Sequence, residues 1–267
     1  MTRFRALLLW LGALALASLL VGCGGGNPPP ATATPLVVDG MPIGTPTDLL
    51  SYRYRVDIQS NADLIDTSQA PPGLDLSEFV LDLEIEGERV NPDREWTRSR
   101  TDFGYYQVDR ETIVIGSENW TREGSGIWRQ NLPLAAPEDF LGQDVALTPA
   151  TILDPGSPDA LHRMATVLAT TPFTLETVNG RQTRHWVLND DDIARMIDPA
   201  DSTLPGVLPP TSTRLELWAD VETGIGVRLL LTAASATSDR AFVLQIDLYD
   251  FNDPSINIDE PEGVLNP

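Results

Sequence analysis

The sequence predicts an α+β fold, in which one large, twisted antiparallel sheet carries helices against one of its faces. Segments of apolar–polar alternation recur along the chain, the mark of half-exposed antiparallel strands. Their order is strands, then helices, then strands, with few signals of a parallel sheet. Turn-forming residues separate the alternating segments at hairpin spacing.

The first segment is not part of that domain. Arg3 and Arg5 precede a sixteen-residue apolar run from Ala6 to Val21. Spanning a bilayer takes roughly 20 apolar residues, so the run fits a signal-peptide core better than a membrane helix. Leu20-Val21-Gly22-Cys23 resembles a bacterial lipobox. In that pattern the cysteine receives a diacylglyceryl group and becomes the mature N-terminus. The resemblance makes residues 1–22 a lipoprotein signal peptide and Cys23 the lipidation site. Two acyl chains anchor a protein stably where one does so only marginally. Cys23 is the only cysteine, which excludes a disulfide framework and a cysteine-based zinc cluster.

Residues 23–47 read as a Gly/Pro/Thr-rich tether. At about 3.1 Å per residue in polyproline-like form, it reaches roughly 75 Å. Residues 48–267 are then expected as a single domain. In "SYRYRVDIQS", Tyr52, Tyr54, Val56 and Ile58 alternate with Arg53, Arg55, Asp57 and Gln59. In "EFVLDLEIEGERV", Leu81, Leu83 and Ile85 alternate with acidic residues. Strands follow at "EWTRSRTD", "YYQVDRETIVIGS" and "NWTREGSGIWRQ", the last with a turn at 124–126. Each strand is expected to have one polar and one apolar face.

The middle of the chain is helical. Ser157 and Pro158 open "SPDALHRMATVLA" as N-cap and first helical residue. "TPATIL" repeats that cue, and "APEDFLGQD" predicts a short helical turn. Strands resume at "TLETVNGRQTRHWVLN", with Asn179-Gly180 as a hairpin signal. A short helix is expected at 191–197, then a proline-rich loop at 198–212, a candidate lid. "TRLELWADVE", "GVRLLLTAAS" and "RAFVLQIDLYDF" complete the strands, and "NIDEPE" reads as an exposed acidic tail.

Charge and composition exclude several functions. A net charge of −21 argues against nucleic acid and against adsorption to anionic headgroups. There is no lysine, so Schiff-base chemistry and a P-loop lysine are excluded. His162 and His185 are the only histidines, and no G-x-S-x-G elbow accompanies them. His162 is expected in solvent, and His185 on the strand face opposite Trp186. "NDDD" at 189–192 lacks EF-hand spacing and reads as a helix cap. Trp96, Trp120, Trp128, Trp186 and Trp218 fit packing better than sugar stacking. No catalytic residue, metal site or cofactor is predicted.

Several segments, in order and spacing, resemble the mycobacterial-type LppX/LprG lipoproteins, a group of LolA/LolB-like fold. They are the lipobox, "SYRYRVDI", "ENWTREGSGIW", "TILDPGSPDALHRMATVL", "LELWADVETGIGVRLLL" and "IDLYDFNDPSINIDEPE". The resemblance implies a half-barrel sheet wrapped around helices, with a hydrophobic cavity for acyl chains. It implies a lipid or acylated glycolipid as partner, bound or carried on the extracytoplasmic side of the cell membrane. The strand stripe nominates Val56, Ile58, Leu81, Leu83, Ile85, Leu215, Leu217, Leu229 and Leu231 as cavity lining. The same residues would equally fill a closed core. In that case the fold is an envelope sensor or interaction module that binds a protein partner and carries no lipid.

Overall fold

The computed structural model describes residues 36–38, 40–64, 80–102, 104, 107–130, 158–196 and 210–265. The signal peptide, Cys23, the tether up to residue 35, Ser157, "TPATIL", "APEDFLGQD" and residues 198–209 of the candidate lid lie outside them.

A hairpin of β1 (Leu36–Val38) and β2 (Met41–Ile43) comes first. A long meander follows: β3 (Ser51–Asn61), β4 (Val80–Val90), β5 (Arg94–Asp102), β6 (Gln107–Ile115), β7 (Glu118–Glu123) and β8 (Arg129–Gln130). Helix α1 (Pro158–Thr170) leads to β9 (Phe173–Val178) and β10 (Arg181–Leu188). Helix α2 (Asp190–Met196) precedes β11 (Ser212–Asp220), β12 (Gly226–Ala234) and β13 (Phe242–Tyr249).

Eleven strands form one antiparallel sheet in the order β8-β7-β6-β5-β4-β3-β13-β12-β11-β10-β9. It is open, with β8 and β9 at its two edges. The sheet-dominated α+β architecture is therefore observed. Two sequential meanders meet where β13 pairs with β3. The expected hairpins are present, and Asn179 and Gly180 turn β9 into β10 with φ of 51° and 76°. Positive φ at both central residues is what a tight hairpin with strand-matched twist requires.

Alternation along β3 places Tyr52, Tyr54, Val56 and Ile58 on the inner face, all 6% exposed or less. Register carries that face outward to Leu83 and Ile85 on β4, and to Leu244, Ile246 and Leu248 on β13. Leu229 and Leu231 on β12 follow, then Leu215 and Leu217 on β11, and Trp186 and Leu188 on β10. The helices cover this face. Leu161, Met164, Ala165 and Leu168 recur at helical spacing on α1 and join the same core, as do Ile193 and Met196 of α2. Trp186 Nε1 donates to the Leu168 carbonyl at 3.1 Å, fixing the last turn of α1 to the sheet. Pro172 then prevents the helix from continuing.

The domain begins earlier than residue 48. Met41 and Ile43 are buried in the same core cluster. Pro42 sits so close to the β11–β12 turn that a Cβ on Gly224 would meet its carbonyl oxygen at 2.0 Å. Gly40, with φ of 80°, turns β1 into β2, and Met41 and Ile43 of this hairpin pack against the body.

The outer face of the central strands is charged. One cross-strand row reads Arg228, Asp247, Arg55, Glu86, Arg98, Glu111, Arg122, alternating in sign over seven strands. Opposite charges at facing positions favour this register over a slipped one.

The expected rule of one apolar, helix-facing side per strand fails at β5–β7, where the faces exchange roles. Trp96, Ile113 and Trp120 face each other across these strands on the outer side. The C-terminal segment covers them. Ile258, 3% exposed, packs with Ile113, Trp120 and Trp128, while Arg94 donates to its carbonyl at 2.8 Å. Leu265 N donates to the Trp128 carbonyl, and Leu265 bridges Arg129 in parallel, closing the β8 edge. "NIDEPE" is therefore not simply an exposed acidic tail. Asp259 and Glu260 are exposed, but the buried Ile256 and Ile258 just before them hold the segment to the sheet.

Candidate functional site

The nine nominated lining residues all lie on the inner face. Val56, Ile58, Leu83, Ile85, Leu215, Leu217 and Leu231 are buried members of one cluster, and Leu81 and Leu229 pack against it. Facing pairs run without interruption across the sheet: Ile85–Val56–Ile246–Leu229–Leu217, and beside it Leu83–Ile58–Leu244–Leu231–Leu215. Cross-strand contact between such pairs makes a continuous hydrocarbon surface. Sequence reasoning missed the β13 members, Leu244, Ile246 and Leu248, although "FVLQIDLY" holds all three at period 2.

A buried polar seam bounds this surface. Tyr54 crosses over Gly87, and its hydroxyl donates to Glu95 Oε1 at 2.6 Å. Arg89 Nη1 donates to Glu95 Oε2 at 2.7 Å, and its Nη2 donates to the Pro92 carbonyl. Burial raises the pKa of Tyr54 well above the ordinary value, and the Glu95 charge adds to this, so the hydroxyl remains a donor. Tyr52 is raised for the same two reasons.

Beyond the seam the inner face turns polar. Thr97, Thr112 and Thr121 face one another across β5, β6 and β7. Ser99 and Arg110 form the neighbouring row with Glu123, and Arg110 Nη2 lies 3.6 Å from the Glu123 carboxylate. Thr101 is 1% exposed. The inner face therefore has an apolar half from β10 to β4 and a hydroxyl-rich half on β5–β7.

The other candidates fall elsewhere. His162 is exposed on α1. His185 lies on the outer face, stacked on Trp218 with ring centroids 4.0 Å apart. Its two ring nitrogens lie 2.8 Å from Glu176 and 3.0 Å from Glu216. The Trp218 indole also donates to Glu176, and together with His185 it holds that carboxyl below its usual pKa. The group fastens edge strand β9 to β10 and β11, and among the described residues no serine hydrogen-bonds to His185. Asn189 caps α2, with Oδ1 accepting from the N–H groups of Asp191 and Asp192. Asp192 returns a bond to Asn189 N, and Asp190 accepts from Thr213 N. Trp120, Trp128, Trp186 and Trp218 are all buried in packing roles.

Among the described residues no helix is long and apolar enough to cross a membrane. Comparison of the sequence with known protein-family models and with curated protein sequences finds no match.

Proposed function

We propose that the chain is a membrane-anchored extracytoplasmic lipoprotein of the LppX/LprG kind. Its sheet forms a half-barrel that binds or carries a lipid, with the acyl chains held in a hydrophobic cavity against the apolar inner half. The observation that carries this reading is the pair of unbroken apolar rows across five strands, facing an amphipathic helix. Each buried CH₂ is worth about 0.8 kcal/mol, so a lipid with ~30 methylenes involves roughly 25 kcal/mol against water. Only a dry apolar surface offers such chains an environment equivalent to the bilayer, making transfer nearly neutral.

The test is organic extraction and mass spectrometry of residues 24–267, purified without the anchor. Stoichiometric co-purified lipid is the expected result. Trace lipid, together with no uptake of a fluorescent fatty acid, refutes it.

One observation favours the second reading, an envelope sensor or interaction module without lipid. Among the described residues edge strand β9 pairs only with β10, and its Phe173 and Leu175 are 49% and 59% exposed. An unprotected apolar edge is a template for strand addition by a protein partner. Under this reading deletion of lipid leaves partner capture unchanged.

A further inference from the structure

We propose that the inner face of β5–β7 is a subsite for a neutral, hydroxyl-bearing headgroup of the bound amphiphile. The proposal rests on the lipid-binding reading and adds to it which end of the ligand lies where.

Among the described residues, seven buried side-chain atoms have no hydrogen-bond partner. Six belong to inner-face positions: Tyr52, Thr101, Arg110, Asn119, Thr121 and Thr213. The exception is Arg122 Nε, on the outer face, whose guanidinium already binds Glu111. Buried polar groups are nearly always partnered, because a lone one loses its hydration without recompense. Their gathering on one face, four of them on three adjacent strands, points to groups that a ligand completes.

The chemistry of the set names the ligand class. Threonine hydroxyls donate and accept, Asn119 Oδ1 accepts, and Arg110 Nε donates. Such a mixture matches hydroxyl groups, which also do both. A phosphate would need an uncompensated cation among these groups, and within β5–β7 the face supplies none, the exposed Arg129 opposite Thr121 standing on edge strand β8. Arg110 lies beside Glu123, and Arg89 is held by Glu95. The seam of Tyr54, Arg89 and Glu95 marks the boundary, with chains on the β3–β4 side and the headgroup on the β5–β7 side.

The test uses residues 24–267 and three twelve-carbon amphiphiles below their micelle concentrations: dodecyl maltoside, dodecylphosphocholine and dodecanoate. Titration calorimetry measures each. The maltoside is expected to bind about tenfold more tightly than the phosphocholine, equivalent to ~1.4 kcal/mol or one net hydrogen bond. Thr101→Val and Thr121→Val should each remove most of that preference while leaving dodecanoate affinity unchanged. Because the hydroxyls have no partner in the free protein, both variants should keep or raise the ligand-free Tm. A lower Tm would show the hydroxyls to be structural and overturn the subsite. So would equal affinity for the two headgroups, or a preference that survives both substitutions. Binding of dodecanoate alone refutes the subsite and leaves the lipid reading standing; binding of none of the three refutes both.

Discussion

Gly87→Ala is a small change that should be severe. A Cβ at position 87 would meet Tyr54 Cζ at 2.2 Å, and its Cε1 and hydroxyl oxygen at 2.6 Å. The ring cannot swing away freely. Tyr54 is fully buried, its hydroxyl is bound to Glu95, and Tyr52 lies beside it with ring centroids 6.2 Å apart. Overpacking of this kind costs about 1–3 kcal/mol. Loss of the hydrogen bond to a charged carboxylate adds about 1.5–3 kcal/mol. Replacing glycine within a strand returns about 0.5–1 kcal/mol. The net is a loss of about 3 kcal/mol, or roughly 6–12 °C in Tm for a domain of this size. Urea titration followed by circular dichroism measures it. A Gly87→Ala protein as stable as the parent, or more so, would refute the argument that the Tyr54 ring is immobile. A double-mutant cycle sharpens the point: in a Tyr54→Ala background, the alanine at 87 should be tolerated.

Arg89→Met leaves the buried Glu95 carboxylate without its ion pair and should cost about 3–5 kcal/mol, with Glu95→Gln in the same chain recovering much of it. Equal stability of the single and double variants would count against the pair. Asp220 accepts from Thr223 N, Thr223 Oγ1 and Glu222 N on one oxygen, and from Arg181 on the other. Burial opposes the charged form, but these bonds from Thr223 and Arg181 outweigh it and hold the pKa below the usual value. The stabilisation is therefore present above the unfolded pKa of about 3.9 and lost as pH falls through the folded one. Asp220→Asn should lower stability at pH 7 and flatten its fall in acid, as read by denaturant titrations from pH 7 to pH 2. Removing residues 256–267 uncovers Ile113 and Trp120 and gives up the burial of Ile256 and Ile258, at most about 3–6 kcal/mol. Increased binding of a hydrophobic dye should accompany the drop in Tm, and an unchanged Tm would show the segment to be dispensable.

The inner face of β3 could be read directly from Tyr52, Tyr54, Val56 and Ile58, because a strand with one charged side has only one way to face a core. The same holds for Leu215 and Leu217, and for the hairpin at Asn179-Gly180, whose backbone requirement is local. The cap on α2 was legible for the same reason. On β5 the rule misleads. "EWTRSRTD" offers Trp96 on one side and Thr97, Ser99 and Thr101 on the other, and hydrophobicity alone would turn Trp96 inward. Register with β4 decides otherwise, setting Thr101 against Leu83 and Thr97 against Gly87. That arrangement is tolerable only because Ile258 arrives from far along the chain to cover the outer aromatics. The carboxylates around His185 were hidden in the same way, since Glu176 and Glu216 come from two neighbouring strands.

The junction of β3 with β13 is where the two meanders become one body. Eight facing pairs join them, from Arg53–Tyr249 to Ser60–Phe242, across nearly the whole length of the domain. Each meander forms its own hairpins locally, so this long-range pairing must be stabilised by burial. Tyr54–Leu248, Val56–Ile246 and Ile58–Leu244 supply it, and none of the six is more than 6% exposed. Ile246→Ala removes the centre of that seam, and a core truncation of this kind costs about 2–5 kcal/mol. Because one of the two inner rows runs through Ile246 on its way from β4 to β11, both halves should lose stability together. Near-ultraviolet circular dichroism and tryptophan fluorescence should therefore report one shared transition, shifted to lower denaturant. Two separate transitions in the variant would mean that each meander holds itself together, and that the continuous apolar face is a consequence of their docking rather than its cause.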